Sequence, residues 1–545
     1  MDPFTTGIEH LNDYQLGVLD ECLAKGSGGM ALPMGSGKTL ISTLVSLQLA
    51  ANKPILIVAA KSLVASWITE FTKFFGTSLK WVLLHPNKGN LETFSLETTP
   101  HIVLTTPDVL SKAYRQYGIQ NRFIYYENIN PFTVVKNFRK PTQPYMNHTK
   151  GTGLLYSIEW GALVIDEAQC YTNILVSKGQ SLGAVCAKHR WLLSGTMFDE
   201  PTPVRILGYY ILINHPDAPR NQPNMERLIK SPEYEGLKGT LVKRDTNEAF
   251  RPPKAVERII EDDLNQHEAK IYSIMRETLS ALNKRLQEYK RTHDIDNIKR
   301  FSSYLLAVIT YLRQGLVCPI IPISSVAIDI ADTECKSELS EILSEEIRKA
   351  NLHEWLSDVS SIKSTRIIKA LELLHVHRNE RVLLFSCFSS CLNVLKKFLP
   401  TDRPVFMLTG SMSVSKRGQV IERFSKSNAG ILLLTFDLGA NGLNLQAATT
   451  CILLDFWWNA GKTKQAVARI VRFGQTAEKV HIYYLKSNTG LELALFQKHK
   501  AKLAITEELY EGQRKSDVPT LSVKEILTFI EGDTTANLMR QIYNI

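Results

Sequence analysis

The sequence predicts an α/β protein built from two parallel-sheet lobes with a helical region between them. Two observations predict the sheets and the helices. Two stretches alternate short β-rich runs with amphipathic segments, the pattern of parallel α/β domains. Between them the apolar residues change to helical spacing. A third observation is length: 545 residues, at about 150 per domain, is a prior of two to four domains.

In the first stretch, residues 55–59 (ILIVA), 102–105 (IVLT), 163–165 (LVI) and 191–193 (WLL) read as buried strands. In the second, 382–385 (VLLF), 405–408 (VFML), 431–435 (ILLLT), 451–454 (CILL) and 480–485 (VHIYYL) do the same. In the region 265–351, Ile271, Met275, Leu279, Leu282 and Leu286 recur at spacings of three and four, one apolar helix face. The expected organisation is a first lobe over 1–250, with a basic and aromatic insertion at about 111–158. A brace and helical region follows over 251–360, then a second lobe over 361–490 and a helical tail over 491–545.

Composition narrows the function classes. Hydrophobic residues make up 44% and charged residues 22%, which suits a sizeable core and excludes a disordered tail, a collagen-like fibre and a small disulfide scaffold. The formal net charge is +10. It favours a polyanion, nucleic acid or an acidic membrane surface, with solubility as the plain alternative. The first ten residues (MDPFTTGIEH) carry neither the basic nor the apolar region of a secretory signal. No apolar run approaches the roughly 18 residues of a membrane span. The eight cysteines are scattered apart from Cys387 and Cys391, a poor zinc pattern that suits reduced thiols in a cytosolic or nuclear protein.

Residues 34–39 read MGSGKT and precede an amphipathic run. Gly35 and Gly37, flanking Ser36, let the backbone wrap phosphate oxygens with its N–H groups at a helix N-terminus. Lys38 would reach the β- and γ-phosphates and the Thr39 hydroxyl would bind Mg²⁺. Leu32 stands where this pattern has its first glycine. Farther on, the strand at 163–165 runs into Asp166–Glu167–Ala168–Gln169. Adjacent carboxylates at a strand end are costly unless solvated or bound to a metal. Asp166 suits Mg²⁺ and Glu167 suits a base for the attacking water. In QAVARIVRFGQ (465–475), Arg469 and Arg472 stand at i and i+3, where one face of a helix turn would aim both at one anion.

In order and wording, these motifs resemble the Swi/Snf-type DNA-dependent ATPases, a branch of the superfamily 2 helicases. The likeness begins at residues 11–17 (LNDYQLG), similar to an adenine-reading Q motif, which would make Gln15 a base contact. It runs through MGSGKT, with Met34, then 61–74 (KSLVASWITEFTKF), 104–107 (LTTP) and 164–169 (VIDEAQ). Residues 192–197 (LLSGTM) resemble motif III, so Ser194 and Thr196, with Gln169 and Gly442, would couple the nucleotide state to lobe closure. Residues 241–254 (LVKRDTNEAFRPPK) look like the end of the first lobe and the brace. The second lobe supplies 383–388 (LLFSCF), 408–424 (LTGSMSVSKRGQVIERF), 435–445 (TFDLGANGLNL) and 454–459 (LDFWWN). Residues 311–319 (YLRQGLVCP) and the LDFWWN wording look closest to the post-replication-repair and transcription-terminator branches. The likeness spans about residues 11–509.

The resemblance implies two RecA-like lobes with an ATP cleft between them, Mg²⁺ and ATP as cofactors, and Arg469 and Arg472 as fingers on the γ-phosphate. It also implies a motor, working as a monomer, that tracks along double-stranded DNA through phosphate contacts. Carried over by position, those contacts are Lys61, Ser62, Thr105 and Thr106, then Ser386, Gly410, Thr435 and Asn444. Trp458 would brace the DNA face or serve as a core aromatic. The sequence departs from the family pattern in three places. Leu32 and Pro33 replace an acidic pair, Gln169 replaces a histidine, and Val471 replaces the histidine between the finger arginines.

Residues 111–158 hold seven Lys/Arg, one acid (Glu127) and nine aromatics. That mixture suits phosphate neutralisation plus base stacking, or equally a surface excursion packed on the first lobe. The expected activity is double-strand DNA-dependent ATP hydrolysis and translocation that remodels or displaces bound protein, with nucleosomes or a polymerase as possible targets. A nuclear or viral replication compartment fits that substrate. The alternatives are a virus-type nucleoside triphosphatase of transcription termination or early gene expression, a strand-separating helicase, and an ATP-gated scaffold.

Overall fold

The computed structural model describes residues 2–510, apart from 34, 87–90, 96–100, 131–132, 232–233, 235–236, 238, 245–252, 332–336, 360, 441–442, 444, 458–459 and 473–474, and also residues 525–526, 528 and 530. The chain forms two compact units. One is the chain up to Pro252 with the last long helix from Ala501 onward; the other is Pro253–Lys500.

The first unit is a seven-stranded parallel sheet of β1 (Gly28–Ala31), β2 (Ile55–Val58), β3 (Trp81–Leu83), β4 (Ile102–Thr105), β7 (Trp160–Ile165), β8 (Ala187–Ser194) and β9 (Leu241–Lys243), in the order β3-β4-β2-β7-β8-β1-β9. β5 (Ile124–Asn130) and β6 (Thr133–Phe138) form a separate antiparallel hairpin within the insertion. Central strands with helices on both faces read as unbroken apolar runs, and β2, β4 and β7 are buried at every position. Two apolar layers, one on each face, enclose the sheet; Leu56 and Val58 belong to one, Ile55 and Ile57 to the other. β1 is the strand that periodicity does not reveal, because its sequence is GGMA. A Cβ on Gly28 would sit 2.2 Å from the Thr240 carbonyl oxygen, so the approach of the preceding loop demands glycine there.

The second unit holds a six-stranded parallel sheet, β10-β15-β14-β11-β13-β12. Its strands are β10 (Lys254–Asp262), β11 (Val382–Ser386), β12 (Val405–Met407), β13 (Ile431–Thr435), β14 (Thr450–Leu453) and β15 (Lys479–Ser487). The stretch expected as a brace is therefore the edge strand of this sheet: Lys254–Asp262 pairs with β15 along its whole length. Its outward positions are polar, which hid it from a reading based on buried runs. The helices Gln266–Arg291 and Ile295–Val317 bury their apolar faces together, Ile271, Met275, Leu279, Leu282 and Leu286 among them. Each such side chain contributes about 1.5–3 kcal/mol. Asn265 caps the first of these helices in a capping box with Glu268. Glu268 also accepts from the Thr365 N–H and hydroxyl, closing the start of the helix Thr365–Val376. No described helix is long and apolar enough to cross a membrane.

Candidate functional site

Strand register decides which loops meet. In the first unit Val58 pairs with both Thr105 and Ile165, Ile165 with Leu192, and Ala31 with Ser194. The C-terminal ends of β4, β2 and β7 are therefore level, β8 and β1 run two residues farther, and the segments after all five open on one edge, where ligands bind in parallel sheets. That edge carries 105–106 after β4, 61–62 beyond β2, Asp166–Glu167 after β7, Ser194–Thr196 after β8, and 32–39 after β1.

The loop after β1 is shaped by Gly35 and Gly37, with φ of 84° and 85°, the left-handed region in which a side chain is strained. The helix Lys38–Leu49 starts directly behind it, with Gly37 as its N-cap and no side-chain cap bond. A helix start without a side-chain cap is a general anion-binding position. Ser36 is 2% exposed and its Oγ has no hydrogen-bond partner. Lys38 folds back, its Nζ donating to the carbonyls of Leu32 and Pro33 at 2.9 Å each. Gln15 is occupied at both ends of its amide. Its Oε1 accepts from Asn12 N at 3.1 Å, and its Nε2 donates to Ser36 O at 3.1 Å. The side chain expected to read a base thus braces the loop in this structure. Met34 lies outside the described residues.

Asp166 receives two hydrogen bonds. Trp67 Nε1 donates to Oδ2 at 2.8 Å and the Glu167 N–H to Oδ1 at 2.9 Å. Burial, and then the neighbouring Glu167 carboxylate, push the Asp166 carboxyl up to about 6, against the pull of Trp67 and Lys38. Glu167 holds φ at 48°, unusual for a non-glycine residue, and such strain costs of order 1–3 kcal/mol. Gln169 Nε2 donates to Glu167 Oε2 at 2.6 Å, while Gln169 Oε1 is buried without a partner. The Ser194 Oγ accepts from the Thr196 N–H at 2.9 Å. A carboxylate this reluctant to ionise, an unpartnered serine hydroxyl, a glycine loop at a helix start and a lysine resting on backbone carbonyls together fit Mg²⁺ and a polyphosphate. Asp166 and Thr39 would hold the ion, which supplies positive charge to the phosphates when bound.

The other expected contacts divide by exposure. Lys61 is exposed and Ser62 half-buried. Thr105 and Thr106 are 0% and 2% exposed, and the Thr105 hydroxyl donates to Leu84 O at 3.1 Å, so neither side chain is presented to a phosphate. In the second unit Ser386 is likewise buried, its Oγ donating to Asp455 Oδ2 at 2.7 Å. Gly410 is exposed and Thr435 half-buried. Gly442, Asn444 and Trp458 lie outside the described residues.

Arg469 and Arg472 do not share a regular helix face, because the helix Ala460–Val467 stops before them. Tight turns follow, with Arg469 N bonded to Ala466 O and Ile470 N to Val467 O. Arg469 is 2% exposed and its Nε donates to Gly439 O at 2.8 Å, whereas Arg472 is half-buried. Sequence reasoning missed Trp67. It lies inside the motif at 61–74, but spacing cannot show that its indole reaches a carboxylate 99 residues away.

Fold and strand-edge loops define a two-sheet α/β protein with a glycine loop at a helix start beside a carboxylate pair. An SNF2-related domain matches residues 16–214 and a helicase conserved C-terminal domain matches residues 363–474, together more than half of the chain. The chain belongs to the SNF2-related, helicase-like proteins. It is 25% identical to the putative helicase 172L of Invertebrate iridescent virus 6, over 91% of this chain and 87% of that protein. It is 24% identical to the DNA repair and recombination protein RAD54B of Gallus gallus, over 91% of this chain and 53% of that one. Among solved structures it aligns with the Sulfolobus solfataricus SWI2/SNF2 ATPase core in complex with dsDNA at 19% identity and a TM-score of 0.36, over 96% of this chain and 97% of that one. The chain thus spans most of the viral relative but about half of RAD54B.

Proposed function

We propose that the protein hydrolyses ATP with Mg²⁺ in response to double-stranded DNA and uses the cycle to move along the duplex, displacing or remodelling bound protein. The observation that carries this reading is the shared C-terminal edge of one parallel sheet. It sets the glycine loop of 35–37 and Lys38 beside Asp166 and Glu167, with the Ser36 hydroxyl left unpartnered. In this reading Lys38 and the loop amides hold the triphosphate, Asp166 and Thr39 hold the ion, and Glu167 takes a proton from the attacking water. Gln15 keeps the loop in shape from below. Gln169, Ser194 and Thr196 tie that loop edge to the neighbouring strand. Arg469 and Arg472 stabilise charge on the transferred phosphoryl group, a role that rests on the family resemblance. Lys61, Ser62, Gly410 and Thr435 are the described residues left as phosphate contacts.

A second reading has one observation in its favour. Of the relatives above, the viral helicase is the one whose length this chain nearly spans. A compact virus-type motor acting on a transcription complex would look like this, and it would work at a viral replication site rather than in a nucleus. One assay series tests both. ATP turnover is measured with duplex DNA, single-stranded DNA, RNA, nucleosomes and a stalled polymerase complex as stimulators, alongside triplex displacement and unwinding. Duplex-stimulated turnover with triplex displacement is expected. Full turnover in Lys38→Ala and Glu167→Gln would remove the site assignment.

A further inference from the structure

The insertion at 111–158 is largely spent on packing. Tyr114, Phe123, Phe138 and Tyr156 are buried in the first unit. Arg122 donates to the Tyr145 carbonyl, Arg115 to Ser111 O, and Lys140 to the carbonyls of His215 and Pro216. What remains is concentrated in one groove of about 650 Å³, between the β5–β6 hairpin and the turn around residues 214–220. That volume lies within the range of ligand sites.

The two sides of the groove are joined by main-chain bonds. Phe138 N donates to Arg220 O at 3.0 Å and Arg139 N to Phe123 O at 2.8 Å, so Arg139 and Arg220 stand at one rim. Among the described residues neither arginine has an ion pair, and the groove lining contains no acid. Arg139 lies 5.0 Å over the Tyr125 ring, leaving its guanidinium edge as a donor fork. Tyr125, Phe138, Pro216 and Pro219 supply apolar lining. Asn214 is held at φ 55°, and its Oδ1 is buried with no hydrogen-bond partner.

Two guanidinium groups without ion pairs among the described residues call for a phosphate, and apolar lining residues for a planar ring. We propose that this groove binds a nucleotide unit of single-stranded nucleic acid. The phosphate lies at Arg139 and Arg220, and the base against the apolar lining. A paired base in a duplex cannot enter a concave site of this kind, so the groove is a contact distinct from duplex tracking. It does not rest on the hydrolysis proposed above.

The test reads binding without any nucleoside triphosphate, so its failure and the failure of the hydrolysis reading are separate results. A labelled single strand is titrated into the full chain by fluorescence anisotropy. The double variant Arg139→Gln/Arg220→Gln is expected to bind at least about tenfold more weakly. Its salt slope should be flatter by about 0.7 for each phosphate no longer neutralised. Basal ATP turnover should stay unchanged, and Arg139→Lys/Arg220→Lys should recover part of the affinity. An affinity within twofold of the parent in the glutamine variant overturns the proposal. So does an equal loss for blunt duplex, or displacement of the strand by a polyglutamate peptide at matched concentration.

Discussion

Asp166 and Asp455 occupy equivalent places in the two units. Each follows an interior strand of a parallel sheet, β7 or β14, and each carboxylate accepts one side-chain and one main-chain hydrogen bond. Their surroundings differ. Asp455 is 3% exposed and ties down the end of β11 through Ser386 Oγ and the Cys387 N–H, within the field of the buried Arg366. Arg366 in turn bonds the Leu454 carbonyl and forms a buried ion pair with Glu492. Asp166 has instead a second carboxylate beside it, and its ionisation is pushed up to about 6. The same edge of the same kind of sheet therefore carries two uses of an aspartate. Where cations inside the protein answer the charge, the aspartate is a tie. Where a second carboxylate outweighs the nearby cation, the aspartate resists ionisation.

The sharpest way to break this comparison is Glu167→Gln. It should lower turnover by about 10²–10⁴-fold while leaving the unfolding midpoint unchanged or slightly raised, since a like charge beside Asp166 is removed. A loss of stability in place of turnover would make Glu167 a tie as well. Asp455→Asn should show the reverse. It forces an amide against the Ser386 and Cys387 donors and should cost about 3 kcal/mol in denaturant unfolding. Unchanged stability would end the role given to Asp455.

Trp67→Phe keeps a ring edge-to-face with Phe71 and removes the N–H that holds Asp166. A bond to a charged group contributes about 1.5–3 kcal/mol, so Mn²⁺ binding with a non-hydrolysable nucleotide should weaken about 10- to 100-fold. Equal affinity would mean that the indole only packs. The smallest effect is on pH dependence. Asp166 ionises near 6 in the native chain against an ordinary 3.8, so the native state holds its proton longer than the unfolded state. Stability without ligand should therefore fall as pH rises from about 4 through 6, by about 1–2 kcal/mol allowing for solvent screening. Asp166→Asn should flatten that slope; a slope unchanged in the variant would place its source elsewhere.

Legibility followed range. All nine buried runs read from the sequence are strands, because burial on both faces writes itself as consecutive apolar residues. β1 is hidden by Gly28 and Gly29, and β10 by its polar, edge character. MGSGKT and the Asp166–Glu167 pair could be recognised because each forms its chemistry locally. Thr105 and Ser386 match their motifs as well as Lys61 does, yet their hydroxyls point to Leu84 O and Asp455, since exposure is a property of packing. Arg469 and Arg472 stand at helical spacing, but the helix ends at Val467 and Arg469 is drawn to Gly439.

The net charge shows the same division. Residues 111–158 carry seven cations against one acid, so most of the net +10 is assigned to one insertion by counting alone. Which of those cations are spent on carbonyls and which line a groove with Arg220 depended on the fold of the hairpin. By itself the sequence determined the parallel-sheet class, the glycine loop, the carboxylate pair and the family, all of which are written within short windows. Only the tertiary structure decided that β7, β8 and β1 lie side by side with their ends on one edge, that Trp67 reaches Asp166, and that Gln15 braces the loop. The physical reason is that parallel strands are joined by long crossovers, so their order and register are set by packing between residues distant in the chain.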